Sequence, residues 1–365
     1  MNLRLSLNGA KALIAGDPWI APQAQLSFRL PPEAGTILRV QDMNGDFLGW
    51  CVSDGPQGSP AFRVLSRERK VDFGSPWWAA QVEQALAKRR ALSLPEGPRR
   101  LIHGEADGLP GLVAELSDGV AVLDYRSPGL AAFSDLIEAA LIQQARLRGL
   151  WRRHALAGGG SSPWHRSALL PKGPARFSVA EPGLPAEADM GADPQGPGLP
   201  RPLERRRWRA WAREQAPGRR LLLLGPMAGE AAAAQSAGPA ELHLAETGIF
   251  KALAKAAALK PHCVLASVPA ESKESFGKFD AIKQMPRLLK DLCAACEPGA
   301  LLLLACDAKP FWHASPWEQA FQEALPERTP ALQAVLGPEA DFPEMAHWNQ
   351  GRARKAFVFK VPEQI

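Results

Sequence analysis

Between Arg99 and Val113 the sequence reads RRLIHGEADGLPGLV, and no other stretch demands so much special backbone geometry in so few residues. Gly104, Gly108 and Gly111 can take positive φ, and Pro110 fixes its own φ. His103, Glu105 and Asp107 bring polar groups into the turns between two apolar runs. On residue chemistry alone this is a tight hairpin corner whose polar side chains satisfy its own backbone. Gly119 to Tyr125 reads as a partner strand and Leu130 to Arg148 as an amphipathic helix.

Upstream, from Arg4 to about Val71, short strands alternate with turns. Asn44-Gly45 is a strong two-residue hairpin signal between Ile37–Val40 and Phe47–Trp50, and implies a β-meander or small barrel. Gly16-Asp17-Pro18-Trp19-Ile20 is a second turn, with Trp19 as a core anchor, and Ala61–Leu65 is the closing strand. Asp72 to Leu94 reads as a helix, with Asp72 or Ser75 as N-cap and Pro76 in the first turn. Trp77, Trp78, Val82, Leu86 and Leu92 form its stripe, and Lys88, Arg89 and Arg90 its basic last turn.

Residues 171 to 202 are rich in proline and glycine, which predicts a linker or extended arm without a regular ladder. Leu203 to Ala216 then reads as a basic, Trp-bearing helix carrying Arg205, Arg206, Arg207, Arg209 and Arg213. Strands at Leu221–Leu224, Glu241–Ala245, Cys263–Ser267, Phe279–Ile282, Ala300–Ala305 and Phe357–Val361 alternate with helices, the pattern of an α/β fold with a parallel, doubly wound sheet. The first strand ends in Gly225-Pro226-Met227-Ala228-Gly229-Glu230 and the second in Glu246, 21 residues beyond Gly225. A glycine turn followed at that distance by a carboxylate suits a nucleoside, with the backbone approaching the ligand and the acid accepting ribose hydroxyls. A Rossmann-like turn that binds nothing is the alternative.

A chain of 365 residues has room for two or three domains, and 46% hydrophobic with 22% charged residues is ordinary globular composition. The formal charge of +5 tilts mildly toward polyanionic partners. The longest apolar runs, Leu221–Leu224 and Leu301–Cys306, fall far short of the ~18 residues of a spanning helix, so no membrane partner is expected and a cytoplasmic location is the default. Cys51, Cys263, Cys293, Cys296 and Cys306 read as reduced thiols. The lone Cys293-x-x-Cys296 lies in a predicted helix, where packing explains it better than a metal, and no metal site is expected.

The segment RLIHGEADGLPGLV resembles the one that opens the middle domain of PUA-domain-bearing, S-adenosylmethionine-dependent 23S rRNA methyltransferases, the class I large-subunit methyltransferase I family that makes 5-methylcytosine. The resemblance is strong over residues 1 to 130 and continues through the last domain in order and spacing. It implies a β-rich PUA RNA-binding domain at 1–71, an α+β middle domain at 72–175 and a Rossmann-like class I methyltransferase domain at 176–365. The implied cofactor is S-adenosylmethionine (SAM), held by Gly225, Met227, Gly229 and Glu246, and the implied partner is ribosomal RNA. Methylating cytosine carbon 5 needs a thiolate and a base. Cys306 lies close to the family's cysteine position after the fifth strand, with Asp307 beside it as the base, the alternative being a small buried hydrophobe at a strand end.

Trp151-Arg152-Arg153-His154 and Trp164-His165-Arg166 interleave aromatics with bases, a mix suited to unpaired RNA. The family's Asp-Pro-Pro, aligned at Lys283-Gln284-Met285-Pro286, lacks its aspartate here. The Asp-Gln-Arg-type sequence has dissolved into residues 190–199, and Phe342 replaces the His of an Asp-His-Pro loop. Arg352, Arg354 and Lys355 form a small basic cluster. These departures leave open an inactive RNA-binding or ribosome-assembly protein on the same scaffold. The oligomeric state is not fixed by the sequence, a homodimer being one option.

Overall fold

The chain forms two compact units, one of Met1–Pro200 with Ala340–Arg352, the other of Arg201–Glu339 with Ala353–Ile365. The structure, a computed structural model, describes all residues except 95–96, 157–159, 182–183, 185, 193–201, 247, 257, 275–276, 346–354 and 364–365. The boundaries expected at 71/72 and 175/176 both fall inside the first unit.

In the first unit, β1 (Asn2–Arg4), α1 (Leu7–Ile14), β2 (Trp19–Ile20), β3 (Ile37–Gln41), β4 (Phe47–Ser53) and β5 (Phe62–Ser66) build a five-stranded sheet in the order β1-β3-β4-β5-β2. The expected hairpin forms, but its loop is the five residues Asp42–Asp46 rather than Asn44-Gly45 alone, with Gly45 at φ +90°. Strand alternation puts Leu38 and Val40 into a core with Leu3, Leu13, Ile20 and Phe62. Trp19, read from sequence as a core anchor, is only half-buried, and its indole N–H donates to Glu105 Oε1 at 2.7 Å.

Helix α2 (Ser75–Arg90) starts at Gly74, whose N–H donates to Asp72 Oδ1 at 3.2 Å, and it buries Trp78, Val82 and Leu86. A second five-stranded sheet follows, built from β6 (Arg99–His103), β7 (Leu112–Ser117), β8 (Val120–Tyr125), β9 (Gly149–His154) and β10 (His165–Arg166), in the order β10-β9-β8-β7-β6. The helix expected over Leu130–Arg148 is split into α3 (Pro128–Ala131) and α4 (Ser134–Ala145), which ends at Arg146 in the left-handed region. Helix α4 packs against α2.

The glycine-rich motif ties these layers together. Gly104–Asp107 makes a 3-10 turn closed by Gly108 at φ +72°. Asp107 accepts the His103 N–H at 2.7 Å through Oδ2, and Arg89 at 2.7 Å and Lys88 at 3.1 Å through Oδ1. Glu105 accepts Trp19 and Arg63, each at 2.7 Å, and Arg63 also donates to the buried Asp54 at 2.6 Å. Gly111 has φ +76°, and a Cβ there would lie 2.6 Å from Ser127 Cβ. The corner thus satisfies its own backbone, and its acids also fasten the first sheet and α2.

Asp341 and Phe342 complete this network. Asp341 is fully buried; its Oδ2 accepts the Arg100 N–H at 2.7 Å and its carbonyl accepts Arg89 at 2.9 Å. The Arg100 guanidinium lies 4.3 Å from the Phe342 ring centroid and donates to Glu115 at 2.8 Å. It also meets His103 Nδ1 at 2.8 Å; since a guanidinium has no lone pair to offer, Nδ1 is the acceptor.

Two further expectations are corrected in this unit. Within 171–202 a short ladder does form, β11 (Arg176–Ser178) against β12 (Glu187–Asp189), both strands being free of proline. Phe177 and Ala188 are buried there. The two Trp-Arg segments do not offer open rings to a base: Trp151 and Trp164 are buried, and Arg166 and Arg153 lie 5.1 and 4.5 Å from their centroids. Arg152 pairs with Glu138 and Arg153 with Asp124.

In the second unit, a 3-10 turn at Leu203–Arg205 runs into α5 (Arg206–Gln215). There follow β13 (Arg220–Leu224), α6 (Ala228–Gln235), β14 (Glu241–Ala245), α7 (Ile249–Ala256) and β15 (Cys263–Val268). A hairpin of β16 (Glu271–Glu274) and β17 (Gly277–Asp280) comes next. The rest is α8 (Ala281–Ala295), β18 (Leu301–Cys306), α9 (Ala314–Ala324), β19 (Ala331–Leu336) and β20 (Ala356–Lys360).

The main sheet has the order β14-β13-β15-β18-β20-β19, with β14, β13, β15 and β18 parallel and β20 antiparallel to both its neighbours. Along β13, Leu222 and Leu224 join the core with α8 and α9, while Leu221 and Leu223 join the opposite core with α5 and α6. Apolar side chains on both faces are what a fully buried parallel strand requires, and the unit is a doubly wound α/β fold. The strand expected at Phe279–Ile282 is not part of this sheet: Phe279 pairs within the β16–β17 hairpin, and Ile282 belongs to α8. Cys293 and Cys296 are buried against the α8 core, and burial raises both thiols, Cys293 to about 12. Among the described residues, no helix is long and apolar enough to cross a membrane.

The Arg100–His103 contact makes the first unit acid-sensitive. Burial and the neighbouring Arg100 lower His103 from 6.5 to about 4. The unfolded chain therefore takes up a proton near 6.5 that the folded one refuses until about 4, so the contribution is complete above pH 6.5 and lost as pH falls toward 4. It amounts to at most about 3 kcal/mol. Hydrogen exchange at the β6 and β7 amides is expected to accelerate over that window, beyond its intrinsic pH dependence, and His103→Gln to flatten the response.

Candidate functional site

In an open α/β sheet, ligands bind outside the carboxyl ends of the strands where the strand order reverses. Here β14 lies on one side of β13 and β15 on the other, so the reversal falls between β13 and β15. The parallel register pairs Leu224 with both Ala245 and Ala266, and Val268 with Cys306. Four strand ends therefore open on one edge.

Gly225 makes the turn at the end of β13. Its φ is +95°, and its N–H donates to Ala245 O at 2.8 Å. A Cβ would lie 2.5 Å from Ser267 O, so a side chain is excluded both by conformation and by the end of β15. Met227 is buried at the N-cap of α6, where no side chain caps the helix. Gly229 lies in the first turn of α6 rather than in the loop, because the helix begins at Ala228. Glu246, exposed, follows directly on Ala245 and so stands beside the Gly225 turn.

Cys306 ends β18, two strands from β13, about 10 Å at the usual strand spacing. Its Sγ accepts the Ala308 N–H at 3.4 Å, and the side chain is 2% exposed. Asp307 is half-buried, and its N–H donates to Val268 O at 2.9 Å. The expected residues thus share one sheet edge: Gly225 and Glu246 at one end, Cys306 and Asp307 at the other.

Lys283–Pro286, read from sequence as the loop after the fourth strand, lies inside α8. Asp280 caps that helix by accepting the Ile282 N–H at 2.9 Å, and Pro286 is accommodated with the residue four before it, Ile282, 62% exposed. The segment that actually follows β15 begins at Pro269, and Ser267-Val268-Pro269 contains no aspartate. Phe342 stacks with Arg100 and His103 in the first unit. Lys355 is half-buried, while Arg352, Arg354 and residues 193–199 lie outside the described residues.

Sequence reasoning does not single out Arg205 among its arginine neighbours. One of its terminal nitrogens donates to Pro226 O at 2.9 Å and the other lies 3.5 Å from Ser267 Oγ, so it spans the ends of β13 and β15. Its guanidinium carbon is 5.0 Å from the Trp208 ring centroid. Arg206 and Arg209 are instead buried and face Glu339 at 3.1 Å and Glu230 at 3.8 Å. The one local signal is an aromatic three residues beyond an arginine at a helix start.

No family model matches the chain. Over 129 residues it is 31% identical to a ribosomal RNA large subunit methyltransferase of Deinococcus radiodurans, covering 34% of this chain and 31% of that protein. Over 133 residues it is 29% identical to a ribosomal RNA large subunit methyltransferase I of Alteromonas mediterranea, covering 36% and 33%. The matches thus span about a third of these relatives' length. Two solved structures share the fold at 15% identity, each covering 99% of this chain and 100% of the other. One is described as a methyltransferase complexed with SAH, with a TM-score of 0.80, and the other as a SAM-dependent methyltransferase from Streptococcus mutans, with 0.77.

Replacing Gly225 tests how tightly this edge is built. Gly225→Ala forces both a left-handed alanine and a clash with Ser267 O. It is expected to cost about 2 kcal/mol or more in chemical denaturation.

Proposed function

We propose that this protein is a SAM-dependent methyltransferase acting on ribosomal RNA, with cytosine carbon 5 of the large-subunit rRNA as its target. The observation that carries the reading is the pairing, at the strand-order reversal, of a glycine turn with an exposed carboxylate. The identity shared with named rRNA methyltransferases supports it. In this reading residues 1–71 act as a PUA-like RNA-binding domain, 72–175 as a middle domain, and the sheet of the second unit carries the chemistry.

The residues present fit SAM. Gly225 leaves the turn without a side chain, Glu246 offers an exposed acceptor to ribose hydroxyls, and Met227 and Gly229 begin the helix beside them. When bound, SAM supplies an electrophilic methyl group. Cys306 Sγ is the nucleophile, and the Ala308 N–H directed at it is a contact that a thiolate accepts. Its bond to ring carbon 6 would load electron density onto carbon 5; once carbon 5 carries the methyl group, Asp307 takes the carbon 5 proton and the S–C6 bond breaks.

The near-complete burial of Cys306 favours a second reading, an RNA-binding or ribosome-assembly protein without turnover. Calorimetric titration with SAM and S-adenosylhomocysteine, followed by methyl transfer to rRNA, separates the two. The methyltransferase reading expects micromolar binding of both, a loss of about tenfold to a hundredfold in Glu246→Ala, and Cys306→Ala that binds normally but transfers nothing. Folded protein that binds neither ligand would leave the second reading.

A further inference from the structure

Arg205 differs from the buried arginines beside it in how its charge is met. Around it, Arg206 and Arg209 face Glu339 and Glu230. Among the described residues, by contrast, no carboxylate pairs with Arg205: it is held by a carbonyl, a hydroxyl and the face of Trp208. The side chain is half-buried. It also sits where the strand order reverses, because Pro226 follows β13 and Ser267 belongs to the end of β15.

The neighbouring turn explains what such a charge can replace. A phosphate or carboxylate at a loop of this kind is usually met by successive backbone N–H groups. Pro226 has no N–H, so one of those donors is missing. A guanidinium carries five donors in a planar fork; two are engaged by Pro226 O and Ser267 Oγ, leaving others for an anionic oxygen. Trp208 restricts the side chain in that position, so less freedom is lost on binding.

We propose that Arg205 is the anion-binding residue of this site and takes the carboxylate of the amino-acid portion of SAM, while Glu246 takes the opposite, ribose end. The inference rests on the methyltransferase reading and adds a residue that orients the cofactor along the sheet edge. A phosphate of the RNA substrate is the other source of an anionic oxygen, and the test separates the two.

The experiment compares S-adenosylhomocysteine, which has the carboxylate, with 5′-methylthioadenosine, which lacks the amino-acid portion beyond its methylthio group. Calorimetry is run on the full chain for wild type, Arg205→Gln and Arg205→Lys. The expected result is a loss of tenfold or more in S-adenosylhomocysteine affinity for Arg205→Gln, a smaller loss for Arg205→Lys, and unchanged methylthioadenosine affinity in both. Unchanged methylthioadenosine binding also reports that the variants are folded. Equal losses for both ligands would mean that Arg205 only braces the Pro226 turn, and would overturn the proposal. No loss for either overturns it as well, and a fall in rRNA affinity alone would assign the arginine to a phosphate instead. If the wild type binds neither ligand, the methyltransferase reading itself fails and the carboxylate assignment falls with it.

Discussion

The parallel pairing of β13 with β14 on one side and β15 on the other is the constraint on which the second unit depends. Parallel strands end on the same edge, so residues far apart in sequence meet there without any long loop to carry them. The register aligns Leu224 with Ala245 and with Ala266. The next residues along, Gly225, Glu246 and Ser267, then emerge together, and Gly225 is the residue that can turn away without striking Ser267 O. Gly225 and Glu246 inherit their places from that register, and Cys306 takes its place from the next one, which pairs it with Val268 of β15.

The first unit is organised by charge instead. Asp54, Arg63, Glu105, Asp107 and Arg89 are all largely buried, and each has an oppositely charged partner. A buried ion is tolerable only when paired and hydrogen-bonded, so these side chains fix one arrangement of the two sheets and α2 more than they add stability. Asp107 shows the balance: burial alone would raise its carboxyl, yet Arg89, the His103 N–H and Lys88 together hold it below the ordinary range.

Much of this was legible in the sequence where one residue type leaves one solution. Leu221–Leu224 cannot face water on either side, and Asn44-Gly45 between apolar runs is a hairpin. The glycines of the HGEADGLPG corner do take positive φ. Legibility ended where local pattern and tertiary partner disagree. Of the strand read at Phe279–Ile282 only Phe279 and Asp280 are extended, and their partner is β16, which the pattern does not name; Ala281 and Ile282 begin α8. Trp151 and Trp164 beside arginines look like a stacking surface, and only the packing reveals that the arginines occupy the rings. Arg205 is indistinguishable in sequence from Arg206 and Arg207; what sets it apart is which acids its neighbours meet.

The placement of Asp341 has a consequence for how the chain is made. Its contacts to Arg89 and Arg100 reach back 252 and 241 residues, across almost the whole of the second unit. A ribosome adding about 5–20 residues per second would deliver Asp341 roughly ten to fifty seconds after those arginines. Until then the Arg100 amide has no carboxylate to meet, and the first half of the protein is held by Asp107, Glu105 and the two sheets alone. By the time the last partner emerges, five of the six strands of the second unit's main sheet have been synthesised. The synthesis of the two units is therefore interleaved in time, and the N-terminal one, begun first, is finished late.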